Sequence, residues 1–278
     1  MKRAGDFVLG NYHLILAHDV AERPWMYAGL FHEGCTVIMD NSVIELGKPV
    51  TREVMKIACA TVRPKYIVLP DVIKDRKETL RMTLEAKDEW KEVKPVGCKW
   101  MAVPQGENLE ELEDCAKNLH AGLDSNLGMW GVGRFVNELL GSRKDLLTIL
   151  LTRFRLPSYS GCVHLLGFSS SMQDDYACCK IHGVAGIDSA VPVRMGQRNQ
   201  LITLDQPDPG PRGDWWNEDH PDITAATIAN LYLIRGWLQP TRIRSSDMAT
   251  DAVSWMGKGS STEATLESGP SGRVGARF

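Results

Sequence analysis

The chain has 278 residues, 43% apolar and 24% charged, with a formal net charge of -3. This is the composition of a folded globular protein, and it gives no global attraction to nucleic acid, so polyanion binding needs a local basic patch. No apolar run reaches the ~20 residues that span a bilayer. No long apolar segment follows Met1-Lys2-Arg3-Ala4-Gly5-Asp6 either, so a cytoplasmic protein without membrane contact is expected.

Short apolar runs alternate with helical patterns over residues 13–240. Runs at 13–17 and 36–40 have strand length and strand composition. Over 51–62, Val54, Ile57, Ala58, Thr61 and Val62 follow the i, i+3, i+4, i+7 spacing of one buried helical face. A run at 66–71 precedes a more polar helix marked by Leu80, Leu84 and Trp90. The run at 99–103 leads into a helix over 107–121 that buries Leu109, Leu112, Ala116 and Leu119, with Gly122 as its stop. Runs at 129–133, 163–167 and 185–189 complete seven candidate strands. A last helix, capped by Asp222, buries Ala226, Ala229, Leu233 and Trp237.

Repeated β-α units imply parallel strands joined by right-handed crossovers. The fold class expected is α/β, a (β/α)8 TIM barrel, which typically takes ~250 residues. An open doubly wound sheet is the rival, but no G-x-G-x-x-G follows the first strand to favour its nucleotide-binding form. Phe7-Val8-Leu9 and Ile202-Thr203-Leu204 are the two candidate runs for an eighth strand. One domain is expected over 1–244, with a long Pro-, Gly- and Asp-rich loop at 205–221 that carries Trp215 and Trp216. A polar, disordered tail is expected at 245–278.

Seven cysteines, Cys35, Cys59, Cys98, Cys115, Cys162, Cys178 and Cys179, are odd in number and irregular in spacing. They read as reduced, mostly buried thiols. Cys178, Cys179 and His182 could share a helical face, but nothing adjoining completes a four-ligand zinc site, so no metal is expected.

Three apolar runs deliver an aspartate at or near their end: Asp40, Asp71 and Asp188. Singly, such an Asp is more often a turn or helix cap than a catalyst. In a barrel of parallel strands all these ends open on one face. Three together are therefore expected to converge on one pocket, which points to an enzyme.

Gly186 through Arg198, GIDSAVPVRMGQR, resembles the segment of tRNA-guanine transglycosylases in which an Asp is followed by Pro-Thr-Arg-x-Gly-Arg. Further matches follow in order. Met39-Asp40-Asn41-Ser42 is similar to the family's Asp-Ser-Gly-Gly element, Leu69-Pro70-Asp71-Val72 to its Pro-Asp element, and Val103-Pro104-Gln105-Gly106 to its Val-Gln-Gly element. Trp130-Gly131-Val132-Gly133 stands where the family has a Gly-rich, base-binding strand end. His164-Leu165-Leu166-Gly167 resembles the strand before the nucleophile. The resemblance covers about residues 36–200. It lacks the family's Cys-x-Cys-x-x-Cys zinc motif and has Asn41-Ser42 in place of its Gly-Gly. In that compact form the chain looks more like the viral and bacterial branch that places 7-deazaguanines into DNA.

The resemblance implies an exchange of guanine for a 7-deazaguanine, with no cofactor. Asp188 would trap the oxocarbenium-like state as a covalent glycosyl-enzyme, as retaining glycosidases do. Asp71 would accept the N1–H and amine edge of guanine, and Gln105 would bond its carbonyl edge. Gly106, Gly131, Val132, Gly133, Asn41 and Gly167 would line the base pocket. Asp40 would be a second carboxylate near the sugar, acting as acid and base; its plainer role is to order the turn at Asn41 and Ser42. The target nucleotide would be single-stranded or flipped out. Arg194 and Arg198 would hold flanking phosphates, with Arg143, Lys144, Arg153, Arg155, Arg242 and Arg244 as secondary candidates. DNA is the expected polymer and tRNA the alternative. A hydrolase and a non-catalytic nucleic-acid-binding subunit are the competing readings. Oligomeric state stays open.

Overall fold

A computed structural model describes residues 12–29, 35–156, 162–169, 171–205 and 224–238. The element order begins β1 (Tyr12–Leu16), α1 (Ala17–Glu22), α2 (Pro24–Tyr27), β2 (Thr36–Asp40), α3 (Val43–Leu46), α4 (Arg52–Val62), β3 (Tyr66–Val68) and α5 (Arg76–Trp90). It continues through β4 (Lys99–Ala102), α6 (Leu109–Leu123), β5 (Leu127–Gly133), α7 (Val136–Leu140), α8 (Lys144–Thr152) and β6 (Val163–Leu166). The last elements are α9 (Met172–Cys179), β7 (Val184–Ile187), α10 (Val191–Gln197) and α11 (Ala225–Leu238). Local chemistry starts the long helices: Thr51, Asp75, Asn108 and Ser171 each accept a backbone N–H of the first turn of α4, α5, α6 and α9.

The seven strands form one sheet in sequence order, and every neighbouring pair is parallel. Laid flat, strands β1 and β7 would stand roughly 30 Å apart at the usual strand spacing. Instead the Tyr12 hydroxyl on β1 lies 2.9 Å from His164 Nδ1 on β6. The Tyr12 ring also fills the direction a Cβ would take from Gly186 on β7. The sheet therefore curls, and the two edges face each other around a barrel-like interior. Among the described residues no eighth strand stands between them. Phe7-Val8-Leu9 lies outside the described residues. Ile202-Thr203-Leu204 is not a strand: it is irregular chain in which Ile202 is buried and donates its N–H to Asn230 Oδ1 at 2.8 Å.

Two-residue alternation divides the core. One cluster gathers Ile38, Tyr66, Val68, Met101, Val103 and Met129 with Tyr12, Leu14, Leu166 and Ala185, so every strand contributes to the interior. The alternate residues, Met39, Ile67, Trp100, Ala102, Trp130, Val132, Val163 and Leu165, point outward into a second cluster with the helices. Trp90, Trp100 and Trp130 are fully buried there, each worth on the order of 4–5 kcal/mol of gross apolar burial.

Three helix faces differ from the pattern expected of them. In α4 the buried residues are Met55, Ala58 and Cys59, while Ile57 is exposed. The sulfur-bearing Met55 and Cys59 form the better-packed stripe. In α5, Thr79 and Thr83 are buried because their hydroxyls bond the chain after β3, at Val72 and Pro70. In α11, Ala226, Thr227, Asn230, Ile234 and Trp237 face the core, whereas Leu233 is exposed. Gly122 does not stop α6; it lies inside the helix, where a Cβ would strike Leu84. Asp222, all but the first residue of the 205–221 loop, and the 245–278 tail lie outside the described residues. Six of the seven free cysteines are buried and Cys35 is half-buried. No described helix is long and apolar enough to cross a membrane.

Helices α10 and α11 meet backbone to backbone. A Cβ on Gly196 would collide with the Thr227 side chain and backbone, and the Thr224 hydroxyl bonds the Gly196 carbonyl at 2.7 Å. Backbone cannot yield as a side chain does. Gly196→Ala is expected to cost about 2–3 kcal/mol, read as a lower urea midpoint at unchanged slope.

Candidate active site

The strands deliver their C-terminal ends to one mouth, and inward alternation sets what lies there. On β2 the inward Ile38 is followed two residues later by Asp40; on β7 the register with β6 slips after Val184, which lets Gly186 face Tyr12 and His164, and Asp188 follows two residues later. Asp71 arrives differently, on the chain after β3, where Leu69 is packed on the outer side. Asp40 is near enough to both Asp71 and Asp188 to feel their charges. Burial pushes Asp40 up to about 7, the Ser42 N–H bond opposes this, and Glu45, Asp188 and Asp71 add to it. Burial likewise pushes Asp71 up to about 7, against a hydrogen bond from Gln105.

Each carboxylate has its own donor. Asp40 Oδ1 accepts the Ser42 N–H at 2.6 Å, and Ser42 itself takes a left-handed backbone at φ 62° where the chain turns into α3. Asp71 Oδ2 accepts Gln105 Nε2–H. The Gln105 carbonyl is itself held by the Lys74 N–H at 3.1 Å, and the residue is fully buried. Gln105 thus stands behind Asp71 and orients it, with both ends of its amide engaged. Asp188 Oδ1 lies 2.9 Å from His164 Nε2 and 3.3 Å from the Gly167 N–H, and a third of its side chain is exposed.

The other expected site residues divide. Gly167, at φ +69°, sits against Asp188 through its N–H. Asn41 is buried, donating to the Val68 carbonyl at 3.4 Å and accepting the Val43 N–H at 2.9 Å, so it shapes the turn after β2. Gly131 admits Met101, Val103 and Leu166 in the barrel interior, and Gly133 admits the Phe135 ring. Both glycines therefore have a packing reason in this fold. Val132 points outward into the helix layer. Gly106 is pressed against Glu111 and Leu112 at the start of α6.

The cations also differ from expectation. Arg194 is buried on α10, and Arg198 is half-buried at the end of that helix. Arg143 is no surface cation. It is fully buried, 3.6 Å from Asp175, and donates to the carbonyls of Gly167 at 2.6 Å and Leu166 at 3.4 Å. Its charge is surrounded by protein because it holds the loop that carries Gly167. Arg153 pairs with Glu113. Arg242 and Arg244 lie outside the described residues.

Sequence reasoning missed three contributors. Tyr12 begins β1 and bonds His164. His164 falls within a recognised motif, but its bond to Asp188 has no local signal. Arg134 follows β5, exposed, with its stem 3.5 Å from the Cβ direction of Gly167; a cation immediately after an inward strand is the signal that could have found it. Among the described residues no group of three or more His, Cys, Asp or Glu is arranged to hold a metal ion. The chain matches no protein-family model and no curated protein, so the reading of the site rests on its own chemistry.

The raised carboxylates make stability depend on pH. Asp40 ionises near 3.8 when solvated and near 7 in the fold, so the folded state binds the extra proton between those values. Its contribution is full below about 4 and is lost as pH rises through about 7. Asp40→Asn, whose amide oxygen can still accept from Ser42, is expected to exceed the parent in stability at pH 8. The advantage should vanish by pH 4, with urea midpoints at the two pH values giving the comparison.

Proposed function

We propose that the protein is a base-exchange transglycosylase that replaces guanine in DNA with a 7-deazaguanine, on a barrel similar to that of tRNA-guanine transglycosylases. One observation carries the reading: Asp188, partly open to solvent and held through a single oxygen, shares a mouth with two carboxylates poised near neutrality. The order of motifs from Asp40 to Arg198 supports the same family.

The steps balance. Asp188 Oδ2 attacks the anomeric carbon as the bond to guanine N9 breaks, and the electron pair leaves on the base. Asp40, protonated below about 7, supplies the proton that makes guanine a neutral leaving group. The incoming 7-deazaguanine then gives its N9 proton to Asp40. Its N9 attacks the same carbon, the ester to Asp188 breaks, and two inversions restore the original configuration. Asp71, oriented by Gln105, offers its remaining oxygen to the N1–H and amine donors that both bases share. A base in a duplex must leave the stack to reach such a mouth.

DNA is preferred to tRNA because the chain carries no Cys-x-Cys-x-x-Cys element. Arg134 takes the phosphate role in place of the buried Arg194, since it is exposed and its stem lies beside Gly167, whose N–H bonds Asp188.

The test is incubation of each polymer with labelled 7-cyano-7-deazaguanine, then digestion to nucleosides and mass spectrometry. Label is expected in DNA, and none with Asp188→Ala at an unchanged circular dichroism spectrum. Exchange by the folded variant removes Asp188 from the nucleophile's role. Guanine release without the deazapurine indicates a hydrolase instead. Arg134→Ala is expected to raise KM for DNA and to shallow the log–log salt dependence by about one unit, with kcat little changed.

A further inference from the structure

We propose that His164, anchored by Tyr12, is a positioning residue for Asp188: it engages one carboxylate oxygen and leaves the other, Oδ2, to bond the sugar. The inference rests on the reading of Asp188 as nucleophile.

The three side chains form a continuous line from the barrel interior to its mouth. Tyr12 Oη lies 2.9 Å from His164 Nδ1, and His164 Nε2 lies 2.9 Å from Asp188 Oδ1. The Tyr12 and His164 rings stack at 5.6 Å between centroids. His164 is 1% exposed, whereas a third of the Asp188 side chain is open. Polar groups so deep in a small barrel demand a reason, because the surrounding interior is apolar.

The proton assignment follows from the phenol. Burial, then Tyr66 and Asp188, raise Tyr12 well above its ordinary range, so the hydroxyl keeps its proton and can donate it to Nδ1 at 2.9 Å. Met129 Sδ, at 3.8 Å, is a weaker acceptor for the same hydrogen. With Nδ1 accepting from the phenol, the ring hydrogen sits on Nε2 and points at Asp188 Oδ1, 2.9 Å away. The Gly167 N–H reaches the same oxygen at 3.3 Å. Among the described residues Oδ2 takes no hydrogen bond. Carboxylate rotation about its last torsion is broad when free; two donors on one oxygen fix it. Gly186 completes the arrangement, since a Cβ there would strike the Tyr12 ring and stand 3.0 Å from His164 Nδ1. The glycine two residues before Asp188 thus makes room for the line beneath it.

No covalent change occurs at His164. The ester forms and breaks at Oδ2, while the hydrogen bond from Nε2 to Oδ1 persists throughout. Misplacement of a reacting group by about 1 Å can cost about 10²-fold in rate, and that is the scale expected.

The experiment compares His164→Leu, His164→Gln and Tyr12→Phe with the parent in single-turnover formation of the covalent DNA–protein adduct. Their circular dichroism spectra and urea midpoints report folding. His164→Leu is expected to slow adduct formation about 10²-fold while KM for the deazaguanine, set by Asp71, stays put. His164→Gln, whose Nε2 can still donate to Oδ1, is expected to recover most of that loss, and Tyr12→Phe to fall between. A folded His164→Leu that reacts at the parental rate overturns the proposal, as does a folded His164→Gln no better than Leu. Imidazole ¹⁵N spectra of the parent and of Asp188→Asn supply a readout independent of turnover. An Nε2 resonance that ignores Asp188→Asn also overturns it. A parent that forms no adduct on DNA or tRNA, yet shows the coupled Nε2 resonance, overturns the nucleophile reading alone.

Discussion

Carboxylates gathered in one concavity repel one another and lose hydration, and the architecture of the mouth is organised around that cost. Asp40, Asp71 and Asp188 are each matched by a donor that the chain places for them: Ser42 N–H, Gln105 Nε2–H, and His164 with Gly167 N–H. The donors have supports of their own. Ser42 adopts a left-handed backbone, Gln105 is held by Lys74, His164 by Tyr12, and the Gly167 loop by the buried Arg143. Without such second partners the donors would be free to rotate, and the carboxylates would carry neither fixed geometry nor tuned protonation.

The layer beneath the mouth is built to stay dry. Tyr66, Met101, Val103 and Met129 fill the interior, and Gly131 is small where Met101, Val103 and Leu166 converge. A dry floor raises the proton affinity of the acids above it by denying them solvent from below. It also strengthens each hydrogen bond that crosses it. The line from Tyr12 through His164 is a polar route through this layer that ends on a carboxylate. Arg143 and Asp175, on the outer side of β6, solve a different problem: an ion pair within the protein steadies the loop between β6 and α9.

Much of this was legible in the sequence because parallel strands and amphipathic helices write themselves as local periods. All seven candidate runs coincide with β1 to β7, their ends differing by up to three residues. The aspartates were visible as breaks in apolar runs. What stayed hidden was long-range. Tyr12 and His164 are 152 residues apart, and no local pattern links them. The engagement of Gln105 depends on the turn at Lys74 that follows the neighbouring strand β3. The face of α4 was misplaced because Met55 and Cys59 compete with Ile57 and Val54 for burial, and neighbouring α1 packs on α4. Arg194 and Arg143 carry the charge expected of phosphate contacts, but sequence does not say on which side of a helix or loop the core lies.

The three carboxylates differ by surroundings rather than by kind, and the difference fits unequal tasks. Asp40 and Asp71 are enclosed enough to share the neutral and charged forms near pH 7, which suits groups that hold or pass a proton. Asp188 has charge-stabilising donors on one oxygen and open space at its side chain. The nucleophile of the proposed exchange needs that combination of one oxygen held in place and a side chain the sugar can reach. A solvated Asp40 would surrender its proton to water well below pH 7, so its enclosure is what suits it to the proposed role. The division of labour in the proposed exchange therefore follows from where each strand end meets solvent, and from which backbone N–H it finds there.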